Sequence, residues 1–68
     1  MSTSQNLWFL VFVIRIVAEA MFDDDQAKAY AELKGSGALQ HFADHYDILH
    51  TQGDDYLLTV AKSYLKAA

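Results

Sequence analysis

The side chains that could do chemistry are concentrated in HYDILHTQGDDY, residues 45–56. Histidine, aspartate, tyrosine and threonine donate or accept hydrogen bonds, and several of them ligate metals. The same residue types also let a chain leave one helix and begin another. The favoured interpretation is structural. Thr51 or Asp54 caps the final helix, and Gly53 gives the bend its freedom. His50 then donates to a loop carbonyl and holds the connection rigid.

A metal site is the second interpretation of the histidines. His41 and His45 are four residues apart, so on a helix their rings share one face, with Asp44 beside them. Imidazoles at this spacing can hold two corners of a transition-metal site. His50 and an acid would have to complete the ligand set. A solvated polar face is therefore favoured, and a metal-binding regulator that uses His41 and His45 is kept as an alternative.

Nucleophilic catalysis has less support than either interpretation. The hydroxyls of Thr51 and Ser63 stand outside any nucleophile motif, and the chain has no Cys. A thin helical domain also offers little room for a cleft that excludes water. The sequence thus predicts a protein that is not an enzyme, with no catalytic residues, no cofactor-binding residues and no cofactor.

The size and charge of the chain limit the elements that can position these side chains. Residues 1–68 are predicted to form one domain, and a domain of this size buries only about 60% of its unfolded surface. Such short domains usually rely on disulfides, a metal or a partner subunit, and Cys is absent. Nine Asp and Glu against five Lys and Arg give a net charge of -4, which disfavours nucleic acid as a partner. A protein partner is therefore favoured.

The N-terminal segment is strongly apolar. Leu7 to Val17, LWFLVFVIRIV, is interrupted only by Arg15. The segment is shorter than the roughly 20 apolar residues that span a bilayer, and it lacks the preceding basic residues of a signal peptide. We therefore expect no membrane span and a cytoplasmic location. Its β-branched and aromatic residues favour a strand, whereas its length and its lack of Gly and Pro favour a helix. A strand at residues 7–16 would make the domain mixed α and β.

As a helix, this segment would be apolar on nearly every side. The three-and-four spacing predicts an inner face made of Leu7, Leu10, Val11, Ile14, Val17, Ala18 and Met21. A helix that is apolar all round must be buried on several sides, and three other short helices can cover only part of it. We therefore expect a second chain to contact this helix at the predicted interaction residues, which are Trp8, Phe9, Phe12, Arg15 and Ile16.

The rest of the chain predicts three short helices. The second begins at Asp23, with Gln26 in a pattern like a capping box, and ends at Lys34 before a turn at Gly35 to Gly37. The third spans ALQHFADHY, whose apolar face ends at Tyr46. The final helix, DDYLLTVAKSYLKAA, has one apolar stripe. Together with the first helix, these segments predict an all-α fold, a compact bundle of about four short helices. The turn before the final helix is predicted to pack Ile48 and Leu49 into the core. The apolar stripe of the final helix comprises Tyr56, Leu57, Val60, Ala61, Tyr64 and Leu65.

The segment YDILHTQGDDYLL, with the upstream AKAYAEL and GALQHFADHYD, resembles a small bacterial family of unknown function, DUF3791. The resemblance covers the chain from about Leu7 onward. Its signature corresponds to Tyr46, Asp47, Ile48, Leu49, His50, Thr51, Gly53 and Tyr56. The family has no established activity. Its members resemble proteins whose genes lie beside genes for ADP-ribosyltransferase-like proteins. This resemblance implies an accessory or antitoxin-like role.

Three functional hypotheses follow. The leading one is a protein-interaction module that forms a homodimer, or docks on a partner encoded nearby, through the apolar N-terminal helix. The first alternative is an antitoxin-like or accessory subunit of an ADP-ribosyltransferase-like protein. The second alternative is the metal-binding regulator that uses His41 and His45.

Overall fold

The computed structural model describes the backbone of residues 3–67 and the side chains of residues 6–66. Within this range the chain is all-α, and residues 7–16 are helical, so the strand alternative is wrong. A bundle of four helices is confirmed, with one additional helical turn. The helices are α1 (Thr3–Met21), α2 (Gln26–Ser36), α3 (Ala38–Asp44), α4 (Tyr46–Leu49) and α5 (Asp54–Ala67).

A tight turn joins α1 to α2. Asp23 and Asp24 have positive φ angles of 57° and 68°, a left-handed conformation that Asp tolerates better than most residues. The Ala18 carbonyl accepts hydrogen bonds from the Phe22 and Asp24 N–H groups, both at 2.9 Å. The cap of α2 is Asp25, whose side chain accepts a hydrogen bond from the Lys28 N–H at 3.0 Å. The predicted capping box at Asp23 is therefore wrong, because the chain uses residues 22–24 to reverse direction before α2 begins.

The junction of α2 and α3 is set by Gly37. This residue has a φ of 89°, and its N–H donates to the Lys34 carbonyl at 3.3 Å. The predicted helix end at Lys34 and Gly35 is two residues too early, because Gly35 continues the helix. The Ser36 hydroxyl donates to the Leu33 carbonyl and accepts from the N–H that opens α3. The turn needs a left-handed residue, which glycine adopts at low cost.

The predicted third helix is interrupted at His45. This residue leaves helical geometry, with φ −111° and ψ 27°, and its carbonyl accepts from the N–H groups of Ile48 and Leu49. The single turn α4 therefore starts in a new direction from the end of α3. An irregular connection then leads to α5, and the carbonyl of Gly53, the residue before α5, accepts a hydrogen bond from the Leu57 N–H at 3.2 Å.

Helix α1 contacts α2, α3 and α5. Its buried strip includes Phe9, Val13 and Val17, whereas Leu7 and Val11 of the predicted inner face are exposed. The prediction is wrong for Leu7, Val11 and Met21 but correct for Val17 and Ala18, which are buried, and for Leu10 and Ile14, which pack against the core. A helix that is apolar all round carries no periodic signal to select the face. Along the described helices, none is both long enough and apolar enough to cross a membrane. The buried core comprises Phe9, Val13, Ile16, Val17, Ala18, Ala29, Leu33, Ala38, Phe42, Leu49, Leu57 and Ala61.

The apolar stripe of α5 agrees largely with its prediction. Leu57 and Ala61 are buried, and three further stripe residues are partly buried against the core. Tyr56 is the exception and is exposed. A stripe on one side of a helix specifies the buried face, which the all-round apolar pattern of α1 does not.

Candidate interaction surface

An open cleft lies between α1 and α4. Its volume is about 340 Å³. Phe9 of α1 joins the two sides of the cleft, because this buried residue contacts Tyr46 of α4 as well as Phe42 of α3. The cleft is lined by Trp8, Phe9, Phe12, Tyr46 and His50.

Aromatic packing fixes the floor and one wall of the cleft. The Phe9 ring meets the Phe42 ring edge to face, with centroids 6.1 Å apart, and the Tyr46 ring in the same manner at 5.4 Å. The His50 ring stacks on Tyr46 at 4.5 Å, with the planes only 15° apart. Edge-to-face and stacked pairs of this kind add stability beyond the buried area alone. The short helix α4 is thereby anchored to the core through its first residue.

A hydrogen bond orients His50 further. Its Nδ1 lies 2.7 Å from the Tyr46 carbonyl, and since a carbonyl only accepts, Nδ1 carries the proton. His50 was predicted to donate to a loop carbonyl, but its acceptor is instead the carbonyl of the first residue of α4. The bond joins the residue that follows α4 to the first residue of that helix, and the His50 ring forms one wall of the cleft.

An exposed apolar strip on α1 borders the cleft. It consists of Leu7, Trp8 and Val11, whose side chains are 58%, 74% and 49% exposed. Their spacing places them on one face of the helix, and the exposed Arg15 follows on the same face. Single exposed apolar residues are common, but a contiguous group of large ones marks an interaction surface.

The predicted interaction residues separate into two groups. Trp8 and Arg15 are exposed, and Phe12 is half-buried along the cleft. Phe9 and Ile16 are each only 8% exposed and belong to the core of the chain itself. Trp8, Phe12 and Arg15 are therefore accessible from outside the chain, at least in part, whereas Phe9 packs against Phe42 and Tyr46.

The signature segment also has several different roles. Leu49 is buried as predicted, but Ile48 is 64% exposed, so its predicted place in the core is wrong. The break at His45 rotates α4 such that only one of the two aliphatic residues faces inward. The Thr51 hydroxyl donates to the Ile48 carbonyl at 2.9 Å. Thr51 thus closes the end of α4 rather than capping the final helix, and Gly53 lies immediately before α5.

An acidic pocket of about 220 Å³ adjoins the cleft. Tyr46 lines both, and Asp44 and Asp47 line the acidic pocket. Asp44 accepts a hydrogen bond from the Gln40 amide at 2.8 Å, and Asp47 is exposed. Sequence reasoning missed this pocket, although the three-residue spacing of the two aspartates was a usable signal. The pocket is lined by Asn6, Ala43, Asp44, Tyr46 and Asp47.

The two histidines of the metal hypothesis are neighbours. The ring centroids of His41 and His45 are 4.6 Å apart, and the His41 ring also lies 5.1 Å from that of Tyr64. His41 is half-buried and His45 is exposed. Among the side chains that the structure describes, no group of three or more His, Cys, Asp or Glu is positioned to hold a metal ion. The pair supplies two of the ligands that a complete site needs.

Comparison with known proteins gives one match. A family model described as a protein of unknown function, DUF3791, matches residues 8–68 of the chain. No curated protein and no solved structure matches the chain. The matched segment includes every residue that lines the cleft, and the resemblance carried by the signature is confirmed.

Proposed function

The chain belongs to the DUF3791 family of proteins of unknown function, and we propose that it works as a non-enzymatic protein-interaction module. The surface that would contact a partner is the apolar strip with the adjoining cleft. This surface combines Trp8 and Phe12 from α1 with Tyr46 from α4 and His50, which directly follows α4. The sequence predicted binding through the N-terminal helix as a whole, and the proposal assigns binding to the outward face of that helix.

The exposure of Trp8 is the observation that supports the proposal most strongly. Its side chain is 74% exposed, although burial of so large an apolar group from water stabilises a complex by roughly 25 cal/mol per Å². Tryptophan and tyrosine are also enriched among the residues that dominate binding energies. Phe12 and Tyr46 border the exposed Trp8 and complete an aromatic surface. A bound chain would remove this surface from water.

The rigidity of the cleft also supports binding. The Tyr46 ring is held between Phe9 and His50, and His50 is held by its own hydrogen bond. A surface that is already ordered loses less conformational entropy when it binds. The cleft is broad and open, which suits a protruding side chain of another protein better than an enclosed small molecule.

Selection of binding peptides tests this function without a known partner. A displayed library of helical peptides is selected on the immobilised wild-type chain. We expect enriched peptides whose affinity falls more than about thirtyfold against Trp8→Asp. Tyr30→Asp is the matched control, because Tyr30 is a 44% exposed aromatic residue on α2 and lies outside the strip and cleft.

Two results would contradict the interaction module. One is a library that yields no peptide binding the wild-type chain. The other is a set of peptides that bind Trp8→Asp as tightly as wild type, since the contact would then lie elsewhere. Circular dichroism of both variants confirms that the substitutions leave the helices folded, as expected for exposed positions.

A further inference from the structure

The cleft between α1 and α4 has a lining of one chemical kind. Each side chain that forms it carries an aromatic or imidazole ring, and these are Trp8, Phe9, Phe12, Tyr46 and His50. Among the side chains that the structure describes, no Lys, Arg, Asp or Glu lines the cleft. An aromatic ring has a negative face and a positive edge. Several rings around one open space therefore attract a cation that approaches their faces.

Most of these rings are accessible to a ligand. Phe9 is buried, whereas Trp8 and His50 are exposed and Phe12 and Tyr46 are half-buried. The planes of the His50 and Tyr46 rings are 15° apart, so the two rings form one stacked wall. The indole of Trp8 is 74% exposed, and indole is the aromatic side chain that binds cations best. The open cleft of about 340 Å³ has room for the end of a long side chain.

From this lining we propose that the partner of the chain inserts an arginine side chain into the cleft, with the guanidinium over the indole of Trp8. The inference rests on the proposed function and names the chemistry of the partner, a basic segment of a different protein. Guanidinium is planar, is hydrated more weakly than an ammonium group, and stacks on aromatic faces. Arginine also buries its apolar stem, so it gains both apolar contact and the attraction of the rings.

The charge of the chain favours the same kind of partner. The net charge is -4, and Asp44 and Asp47 line the acidic pocket that shares Tyr46 with the cleft. Arg15 is the only Arg of the chain; it follows Phe12 by three residues and is not among the residues that line the cleft. An acidic surface attracts a basic segment and repels an acidic one, and this attraction mainly affects the association rate and the specificity.

Replacement of arginine by citrulline in bound peptides tests the guanidinium. Helical peptides selected on the wild-type chain are synthesised again with each of their arginines changed in turn. Citrulline keeps the length and shape of arginine but has a neutral urea in place of the guanidinium. We expect one arginine in each tight peptide whose change to citrulline weakens binding roughly tenfold. The fluorescence of Trp8, the only Trp of the chain, follows binding directly.

Fluorination of Trp8 separates a cation on the ring from apolar contact alone. Because the chain has one Trp, 5-fluorotryptophan and 5,7-difluorotryptophan can be introduced at this position only. Fluorine withdraws electron density from the face of the ring and changes the size of the ring little. The affinity for the arginine peptides should fall about twofold with each fluorine, and the affinity for the citrulline peptides should change by less than about 1.5-fold.

Trp8→Leu and Tyr30→Leu are matched variants. Both replace an exposed aromatic ring by an aliphatic side chain, but only Trp8 lines the cleft. In Trp8→Leu the preference for arginine over citrulline should fall below about threefold, because the best cation-binding ring is lost. Tyr30→Leu should keep the wild-type preference. Circular dichroism of both variants checks that the helices remain folded, as expected for exposed positions.

Several results would overturn the inference. One is a set of peptides that bind through an apolar residue and contain no arginine. Another is an equal affinity of arginine and citrulline peptides, or an affinity for arginine peptides that does not respond to fluorination. A third is a dimer of the free chain, measured by sedimentation equilibrium, that Arg15→Gln dissociates. The guanidinium in the cleft would then come from a second copy and not from a different protein.

Failure of this inference is distinguishable from failure of the proposed function. Peptides that contain no arginine but lose their affinity for Trp8→Asp would keep the interaction module and exclude arginine as the inserted side chain. A chain that selects no peptide at all would lose both. Arginine peptides that respond to citrulline and to fluorination as expected would support both.

Discussion

Trp8 and Phe9 are consecutive aromatic residues with opposite surroundings. Phe9 contacts Phe42 and Tyr46 and is 8% exposed, whereas Trp8 is 74% exposed. We expect Phe9→Ala to cost about 3 to 5 kcal/mol of the free energy of unfolding, the usual range for a buried aromatic residue. Trp8→Ala should change it by less than about 0.5 kcal/mol in the monomer.

Urea denaturation followed by circular dichroism measures both changes. The protein concentration must lie below the dissociation constant of any dimer, so that only the stability of the single chain is compared. Folded domains of this length have about 3 to 10 kcal/mol of stability, so Phe9→Ala can leave much of the chain unfolded. Equal losses for the two variants would contradict the assignment of Phe9 to the core and Trp8 to the surface.

At the scale of the helices, the two glycines at the end of α2 have different roles. Gly37 has a φ of 89°, and a methyl group there would meet the Tyr64 ring at an ordinary 3.9 Å. The cost of Gly37→Ala is therefore one of backbone conformation, about 1 kcal/mol. Gly35 lies inside α2 with open space around it. Gly35→Ala should stabilise the chain by about 0.5 kcal/mol.

Thermal or urea denaturation of the two variants, under identical conditions, measures the difference. The two substitutions are the same chemical change two residues apart, so each serves as the control for the other. Opposite signs are expected. A destabilising Gly35→Ala together with a neutral Gly37→Ala would mean that the helix ends at Gly35, as the sequence alone suggested.

Helix existence was predictable from the sequence, but helix boundaries and faces were less so. The one-sided stripe of α5 specified its buried face, with Leu57 and Ala61 inside. In α1 every side is apolar, and the choice of Phe9 and Val13 as the inner face depends on how α2, α3 and α5 pack around it. The break at His45 is equally non-local in origin. The sequence contains no Gly or Pro near His45 that would predict a helix break.

The candidate site was also predictable only in part, because it combines residues of one helix with a contact between two helices. Trp8, Phe12 and Arg15 were expected to face a partner, and the structure leaves them at or near the surface. The cleft itself requires α1 and α4 to meet, and these are distant in sequence. The acidic pocket depends on the same contact, since it brings Asn6 beside Asp47. No periodicity within a single helix contains that information.

At the scale of the whole molecule, the small core means that the proposed association would add stability. A domain of this size buries only about 60% of its unfolded surface, and covering the strip in the homodimer that the sequence predicts would remove more apolar area from water. Because only folded chains would form such a dimer, the melting temperature should then rise with protein concentration. Each tenfold increase above the dissociation constant adds about 0.7 kcal/mol per chain, or roughly 3 to 6 °C for a domain of this length.

Thermal melts from about micromolar to sub-millimolar concentration measure this dependence, in the range where typical dimers dissociate. In Trp8→Asp the melting temperature should be independent of concentration, because a buried charge would replace the central apolar contact. The difference in melting temperature between the wild-type chain and Trp8→Asp should therefore grow with protein concentration and vanish on dilution. A wild-type melting temperature that stays constant across this range would mean that the chain is stable alone, with its apolar strip open to a different protein.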